Sequence, residues 1–203
     1  KIERINGLMQ GLTNDLFDGD QYRGFLIWAS GLYLEQADDP PTQDELVSNI
    51  TDGKDDLEVD LYFVDDESQT IYLFQSKYRS SPGNVSKKDL ADFLLAPSRL
   101  VSPAFLAKNT NAKILELAPS FREKIVEGYQ IQLCILSTLS APQPIEKSAQ
   151  EWSDQPLILN VGGEPIDVAH NAIVSDVEDL LQRFDSSSTD KILTLRLPLL
   201  SGE

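Results

Sequence analysis

Over the first eighteen positions apolar residues recur three and four apart, at Ile2, Ile5, Leu8, Leu12 and Leu16. That spacing predicts an amphipathic helix over 1–18. Asp18-Gly19-Asp20 interrupts it, and Asp20 stands where it can cap a second helix over 21–37. Tyr22, Phe25, Trp28, Leu32 and Tyr33 run along this second helix as a core stripe, while Gly24 and Gly31, two turns apart, predict close packing. Asp38-Asp39-Pro40-Pro41 ends the helix, because proline cannot continue it, and Thr42 can cap a short helix at 43–49.

The period then changes from helical to alternating. Residues 57–64 (LEVDLYFV) and 71–78 (IYLFQSKY) are β-branched and aromatic, with Asp65, Asp66 and Ser68 between them, which predicts an antiparallel hairpin. Pairing Val64 with Ile71 sets Asp60 opposite Gln75 and Glu58 opposite Lys77, on one side of the sheet. A loop follows at 80–84. Ser86 and Asp89 form a capping-box pattern for a helix whose Leu90, Phe93 and Leu94 face inward until Pro97. A helical piece over 98–107 is broken at Pro103, Ser120 and Glu123 repeat the capping pattern, and Gly128 suits a helix C-terminus. Residues 129–136 (YQIQLCIL) form the next strand, parallel to 71–78 because helices connect the two. Beyond it the pattern reads as a polar loop at 139–155, a hairpin of 157–161 and 165–168 around Gly162-Gly163, a helix over 176–184 and a strand over 192–197.

These elements predict one α/β (α+β) domain over 1–203, with a mixed central sheet flanked by helices. An N-terminal helical segment (1–50) leads into a core (51–138), followed by a peripheral hairpin, helix and strand (139–203). Hydrophobic residues at 41% supply a core, and no apolar run is long enough to span a membrane. The first residue is Lys1, which predicts a piece of a longer protein. A single cysteine, Cys134, excludes an internal disulfide and fits a reducing, cytoplasmic setting. It alternates inside a strand and reads as a buried thiol. With one cysteine and one histidine no Cys/His zinc site can be assembled. His170 has no partner near it in sequence and reads as structural, so carboxylates, amides and lysines must carry any chemistry.

The net charge of −16 argues against DNA wrapping by bulk electrostatics. The charge is uneven, however. From Lys77 to Lys113 there are seven basic residues and two acids, a net +5 that leaves −21 for the rest. Lys87 and Lys88 fall in the first turn of a predicted helix, where backbone N–H groups also attract phosphate. Eight of the sixteen residues at 52–67 are acidic. Asp52, Asp55 and Asp56 lack the alternate-position ligands of a calcium loop and read as a solvated acidic loop, as do Asp65, Asp66 and Glu67 in the hairpin turn.

Asp60, Glu58, Gln75 and Lys77 cluster between otherwise apolar strands. Such a cluster is costly if it serves stability alone, and a hard divalent cation would offset that cost through oxygen ligands. Asp60, a hairpin and Gln75-Ser76-Lys77 resemble the D…(E/Q)xK signature of the PD-(D/E)XK nuclease superfamily, in the Gln-x-Lys form of Mrr-type restriction endonucleases. The stretch Thr51–Asp60 followed by Ile71–Tyr78 is similar to the N-terminal nuclease-like domain of abortive infection phage-resistance (AIPR) proteins. The resemblance implies a restriction-endonuclease-like fold and Mg²⁺- or Mn²⁺-dependent endonuclease cleavage of DNA in bacterial phage defence. It implies Asp60 as metal ligand, Gln75 at the position of the usual acid, the Ser76 carbonyl as a further ligand, and Lys77 as the catalytic lysine. Glu58 is a second candidate ligand, and Arg79, Lys87 and Lys88 are candidate nucleic-acid contacts. Two departures stand out. Relatives carry a glycine-rich stretch ending Ile-Asp-Gly where this chain reads Glu58-Val59-Asp60-Leu61. They also carry a glutamate on the preceding helix, for which Gln21 and Glu35 stand nearest. Two other readings remain open: a nuclease fold that binds nucleic acid without turnover, and an acidic interaction domain that mimics DNA. On any nuclease reading this domain alone holds DNA weakly, and tight binding comes from metal, a homo-oligomer or the C-terminal remainder of the chain.

Overall fold

The structure is a computed structural model that describes residues 1–37 and 39–187. The expected strand at 192–197 lies outside the described residues. Helix α1 (Ile2–Phe17) stops at Asp18, whose left-handed backbone (φ 49°) turns the chain so that the next N–H, that of Gly19, reaches the Thr13 carbonyl at 3.2 Å. The Asp20 carboxylate then caps α2 (Gln21–Leu34) by accepting from the Tyr22 and Arg23 N–H groups at 3.0 and 3.3 Å. A Cβ at Gly24 would stand 2.0 Å from Thr13 Oγ1, so the two helices cross at a spacing only glycine permits. A Cβ at Gly31 would stand 3.5 Å from a Leu46 methyl, an ordinary contact, so close packing rests on the first glycine alone. Helix α3 (Gln43–Ser48) opens with the reciprocal Thr42–Glu45 capping box.

The central sheet has four strands in the order β1-β2-β3-β6. β1 (Leu61–Asp65) and β2 (Thr70–Lys77) are the antiparallel hairpin, with Val64 opposite Ile71 as the alternation predicts. β3 (Gln130–Ser137) runs parallel to β2, and β6 (His170–Ser175) parallel to β3. Strands β4 (Leu157–Val161) and β5 (Glu164–Val168) form the predicted hairpin as a separate two-stranded sheet. Between β2 and β3 run α4 (Lys87–Leu94), α5 (Ala96–Val101), α6 (Pro103–Leu106) and α7 (Ala112–Val126). Ser86 and Asp89 cap α4 as expected.

Four expectations are corrected. β1 begins at Leu61 rather than at residue 57, because Leu57 and Glu58 take left-handed backbone (φ 59° and 67°). Ser120 does not start a helix: it lies inside α7, whose N-cap is Asn111, accepting from the Lys113 and Ile114 N–H groups. Residues 143–153 are helix α8 (Gln143–Ser153) rather than loop, and only Ile145 and Ala149 of it are fully buried. The segment expected to be peripheral supplies β6 to the main sheet. Helical backbone over 177–187 (α9) follows it.

Both faces of the sheet are covered, which is why residues 133–136 of β3 (LCIL) are apolar without alternation. Ile71, Leu73, Leu133 and Ile135 pack against Leu90, Phe93, Leu117 and Phe121 on one face. Leu61, Phe74, Cys134 and Leu136 pack against Ile5, Met9, Phe25 and Leu180 on the other. Among the described residues no helix is long and apolar enough to cross a membrane.

Candidate metal centre

The hairpin register continues past its last paired residues to set Asp60 against Gln75. The Asp60 N–H donates to the Phe74 carbonyl at 2.8 Å, and Asp60 Oδ2 accepts from the Ser76 N–H at 2.6 Å. Backbone groups alternate in direction along a strand. The Ser76 carbonyl therefore faces β1, whereas the Lys77 carbonyl faces β3 and accepts from the Thr138 N–H. Gln75 is 1% exposed, and its Nε2 donates to Glu58 Oε2 at 2.6 Å. Its Oε1 is buried with no partner, an arrangement that costs free energy unless a cation or water meets it. Lys77 Nζ stands 4.0 Å from Glu58 and 3.7 Å from Asp89 of α4. Asp60, Gln75, Ser76, Lys77 and Glu58 are thus one cluster. Glu58 joins it through a left-handed turn rather than from the strand.

The residues that sequence reasoning set aside are Asp52 and Asp56. One carboxylate oxygen from each of Asp52, Asp56 and Asp60 can be chosen so that all lie within 4.8 Å of one another. The loop that gathers them is tightly bonded. Asp56 accepts from the Gly53 and Glu58 N–H groups, and Thr51 Oγ1 donates to the Val59 carbonyl. Three residues of this loop without a glycine's freedom, Asp55, Leu57 and Glu58, have φ of about 60° or above. That conformation costs roughly 1 kcal/mol or more per residue. The run from Asn109 to Asn111 ties the loop down. Asn109 Nδ2 donates to the Asp55 carbonyl, Thr110 Oγ1 to the Asp55 carboxylate, and Asn111 Nδ2 to the Thr51 carbonyl at 2.7 Å. The signal was present as three aspartates four residues apart, but only the turn at 53–58 brings them together.

The electrostatics follow from that geometry. Burial pushes the Asp60 carboxyl up to about 7; the Ser76 N–H opposes this, the Asp56 and Asp52 charges add to it, and Lys77 opposes it. Burial also raises Asp56, against the hydrogen bonds from Glu58 and Gly53. Asp89 is held low: partial burial pushes it up, but the Ser86 hydroxyl and the Lys77 charge outweigh that. A half-buried carboxylate flanked by two others, beside a buried, unpartnered amide oxygen, is an all-oxygen donor set that fits a hard divalent cation.

The nucleic-acid candidates lie differently. Lys88 is exposed but pairs with Asp92 at 2.7 Å. Lys87 is exposed and makes no ion pair among the described residues. Arg79 Nη1 donates to the Tyr78 carbonyl. Gln21 accepts from the Tyr78 hydroxyl at 2.8 Å, on the face opposite Gln75 and Lys77. His170 has its ring nitrogens 2.8 and 3.2 Å from the Val168 and Trp152 carbonyls, away from the cluster. Cys134 is fully buried. Compared with known proteins, the chain matches no family model, no curated protein and no solved structure.

Proposed function

We propose that this domain is a metal-dependent endonuclease acting on DNA, with a restriction-endonuclease-like arrangement of its core. The observation that carries the reading is the convergence of Asp52, Asp56 and Asp60 beside a strand that presents Gln75, the Ser76 carbonyl and Lys77. Asp60, Asp56 and Asp52 would hold Mg²⁺ or Mn²⁺, with Gln75 Oε1, the Ser76 carbonyl and Glu58 as further oxygen donors. When bound, the cation lowers the pKa of its water and draws charge from a phosphodiester.

The protein's own groups supply the rest. The Ser76 N–H fixes the Asp60 carboxylate, so that one oxygen stays free for the cation. Glu58 and Asp89 hold the Lys77 ammonium beside the cluster, where it offsets charge developing on the phosphate. A role in phage defence rests on the resemblance of residues 51–78 to AIPR proteins. A second reading, binding without turnover, is favoured by Gln75: it is neutral and already donates to Glu58, which weakens cation affinity relative to a glutamate.

Supercoiled-plasmid nicking in Mg²⁺ or Mn²⁺ separates these. Lys77→Ala is expected to abolish cleavage while calorimetry still shows metal binding. Equal nicking by wild type and variant would overturn the assignment. Metal and DNA binding with no nicking by either protein would select the second reading.

A further inference from the structure

A second polar feature lies across the sheet from the acidic cluster. Between α1 and the start of α2 is a groove of about 380 Å³, within the range of small-ligand sites, about 300–1,000 Å³. Carboxamides dominate its lining. Asn6, Gln10 and Asn14 lie four apart on one face of α1, and Gln21 opens α2. Glu3 is the one charged residue among those lining it, so the groove is built for neutral hydrogen-bonding groups rather than for phosphate.

Three further observations give it shape. The Tyr78 hydroxyl lies 3.0 Å from Asn6 Oδ1 and 2.8 Å from Gln21 Oε1, orienting both amides from below. Tyr22 meets the Tyr78 ring edge-on at 5.5 Å and is 57% exposed, an aromatic face beside the amides. Gly7 sits inside α1, where glycine weakens a helix by about 1 kcal/mol, yet a Cβ there would meet nothing within 4 Å. Its missing side chain serves no packing contact and leaves the groove open. The first turn of α2 links the groove to the edge of the acidic cluster, with Gln21 lining the groove and Arg23 reaching Asp52. There the Arg23 guanidinium stands 4.0 Å from Asp20 and 3.9 Å from Asp52.

We propose that this groove binds exposed nucleobases, adenine above all, of a DNA strand that continues from the acidic cluster past Arg23. Carboxamides match adenine because each offers one donor and one acceptor to its N6 and N7 edge. An exposed tyrosine offers a stacking surface to any base. The choice of a nucleobase as ligand rests on the nuclease reading of the acidic cluster; the groove's preference for neutral hydrogen-bonding groups does not.

The test is fluorescence anisotropy of labelled oligo(dA), oligo(dT) and oligo(dC) with the 203-residue chain in EDTA, so that no cleavage intervenes. Oligo(dA) is expected to bind about tenfold tighter than oligo(dC), with a shallow salt dependence because little phosphate is neutralised. Gln10→Ala/Asn14→Ala should erase the preference. Gly7→Leu should fill the groove and weaken binding at least as much while raising thermal stability, an opposition that no loss of fold can produce. Equal binding of the three strands, or Gly7→Leu binding as wild type does, overturns the groove. Base preference with no metal-dependent nicking overturns the nuclease reading and leaves the groove standing. Nicking with no base preference does the reverse.

Discussion

The acidic loop at 52–60 and the basic segment at 77–113 exchange roles between sequence and structure. Along the chain the first reads as solvated charge and the second as a stripe for phosphate. In space the acids converge: Asp52, Asp56 and Asp60 face one another, and within 4 Å only Arg23 and Lys77 pair with acids of this loop among the described residues. The bases are largely spent. Lys77 lies between Glu58 and Asp89, Lys88 and Arg99 share Asp92, and Lys113 pairs with Glu116. Charge counted along a window therefore misstates the local field, because a turn can concentrate like charges and a helix can cancel unlike ones.

The largest expected effect breaks the acidic side of that contrast. Asp60→Asn keeps an oxygen for the Ser76 N–H and removes the charge. It should lower Mg²⁺ or Mn²⁺ affinity by more than roughly 100-fold, since even groups that only orient ligands are worth about 10–100-fold. Calorimetric titration checks this. Affinity unchanged in Asp60→Asn would mean that the three aspartates are no metal site.

The same substitution has a consequence for stability. The Asp60 carboxyl titrates at about 7 in the folded protein, against an ordinary 3.8. Between those values the folded state holds a proton that the unfolded state has lost, so stability falls as pH rises through the window. In EDTA the wild type should lose of order 2–4 kcal/mol relative to Asp60→Asn between about pH 4 and pH 8. Saturating Mg²⁺ should flatten that difference. Urea melts of both proteins across the range supply the measurement, and a pH-independent difference would show that Asp60 is not buried against its neighbours.

How far the site was legible follows from where its information lies. The alternation in LEVDLYFV and IYLFQSKY fixes strand faces, and the short turn fixes register, so the meeting of Asp60, Gln75 and Lys77 was readable. Nothing local marks the left-handed turn at Leu57 and Glu58, since neither is glycine. Asp52 and Asp56 therefore stayed hidden. Helix α8 escaped because its apolar stripe is narrow, with only Ile145 and Ala149 buried, Trp152 partly buried, and most other positions polar. The Ser120–Glu123 pattern misled because a capping box is a four-residue motif that also occurs within helices. The true cap, Asn111, also bonds to the acidic loop, a contact sixty residues apart in sequence.

That contact joins the two regions and sets a middle-sized prediction. Asn111 caps α7 with its oxygen and holds the Thr51 carbonyl with its nitrogen. Asn111→Ala should cost about 1–2 kcal/mol of stability. It should also weaken metal binding by up to about tenfold, as loss of an orienting contact does. Asn111→Asp keeps the cap and loses the donor, so it should retain most of the stability and lose the metal affinity. If both variants lose only stability, the clamp at Asn109–Asn111 is structural alone.

The smallest effect concerns the basic side. Lys87 and Lys88 are adjacent in the first turn of α4, and sequence alone treats them as equivalent. Lys88 is held by Asp92, whereas Lys87 makes no ion pair among the described residues. A lysine already paired must give up its carboxylate before it meets phosphate, so its net contribution to binding is smaller. Lys87→Ala should therefore lower the slope of log affinity against log salt by about one for duplex DNA, with a modest uniform loss across sequences. Lys88→Ala should lower it by clearly less. Removing the partner instead, in Asp92→Asn, should release Lys88 and steepen the slope. Equal slopes for Lys87→Ala and Lys88→Ala would mean that Asp92 does not hold Lys88 in solution, and the basic segment would then be as available to phosphate as its sequence implies.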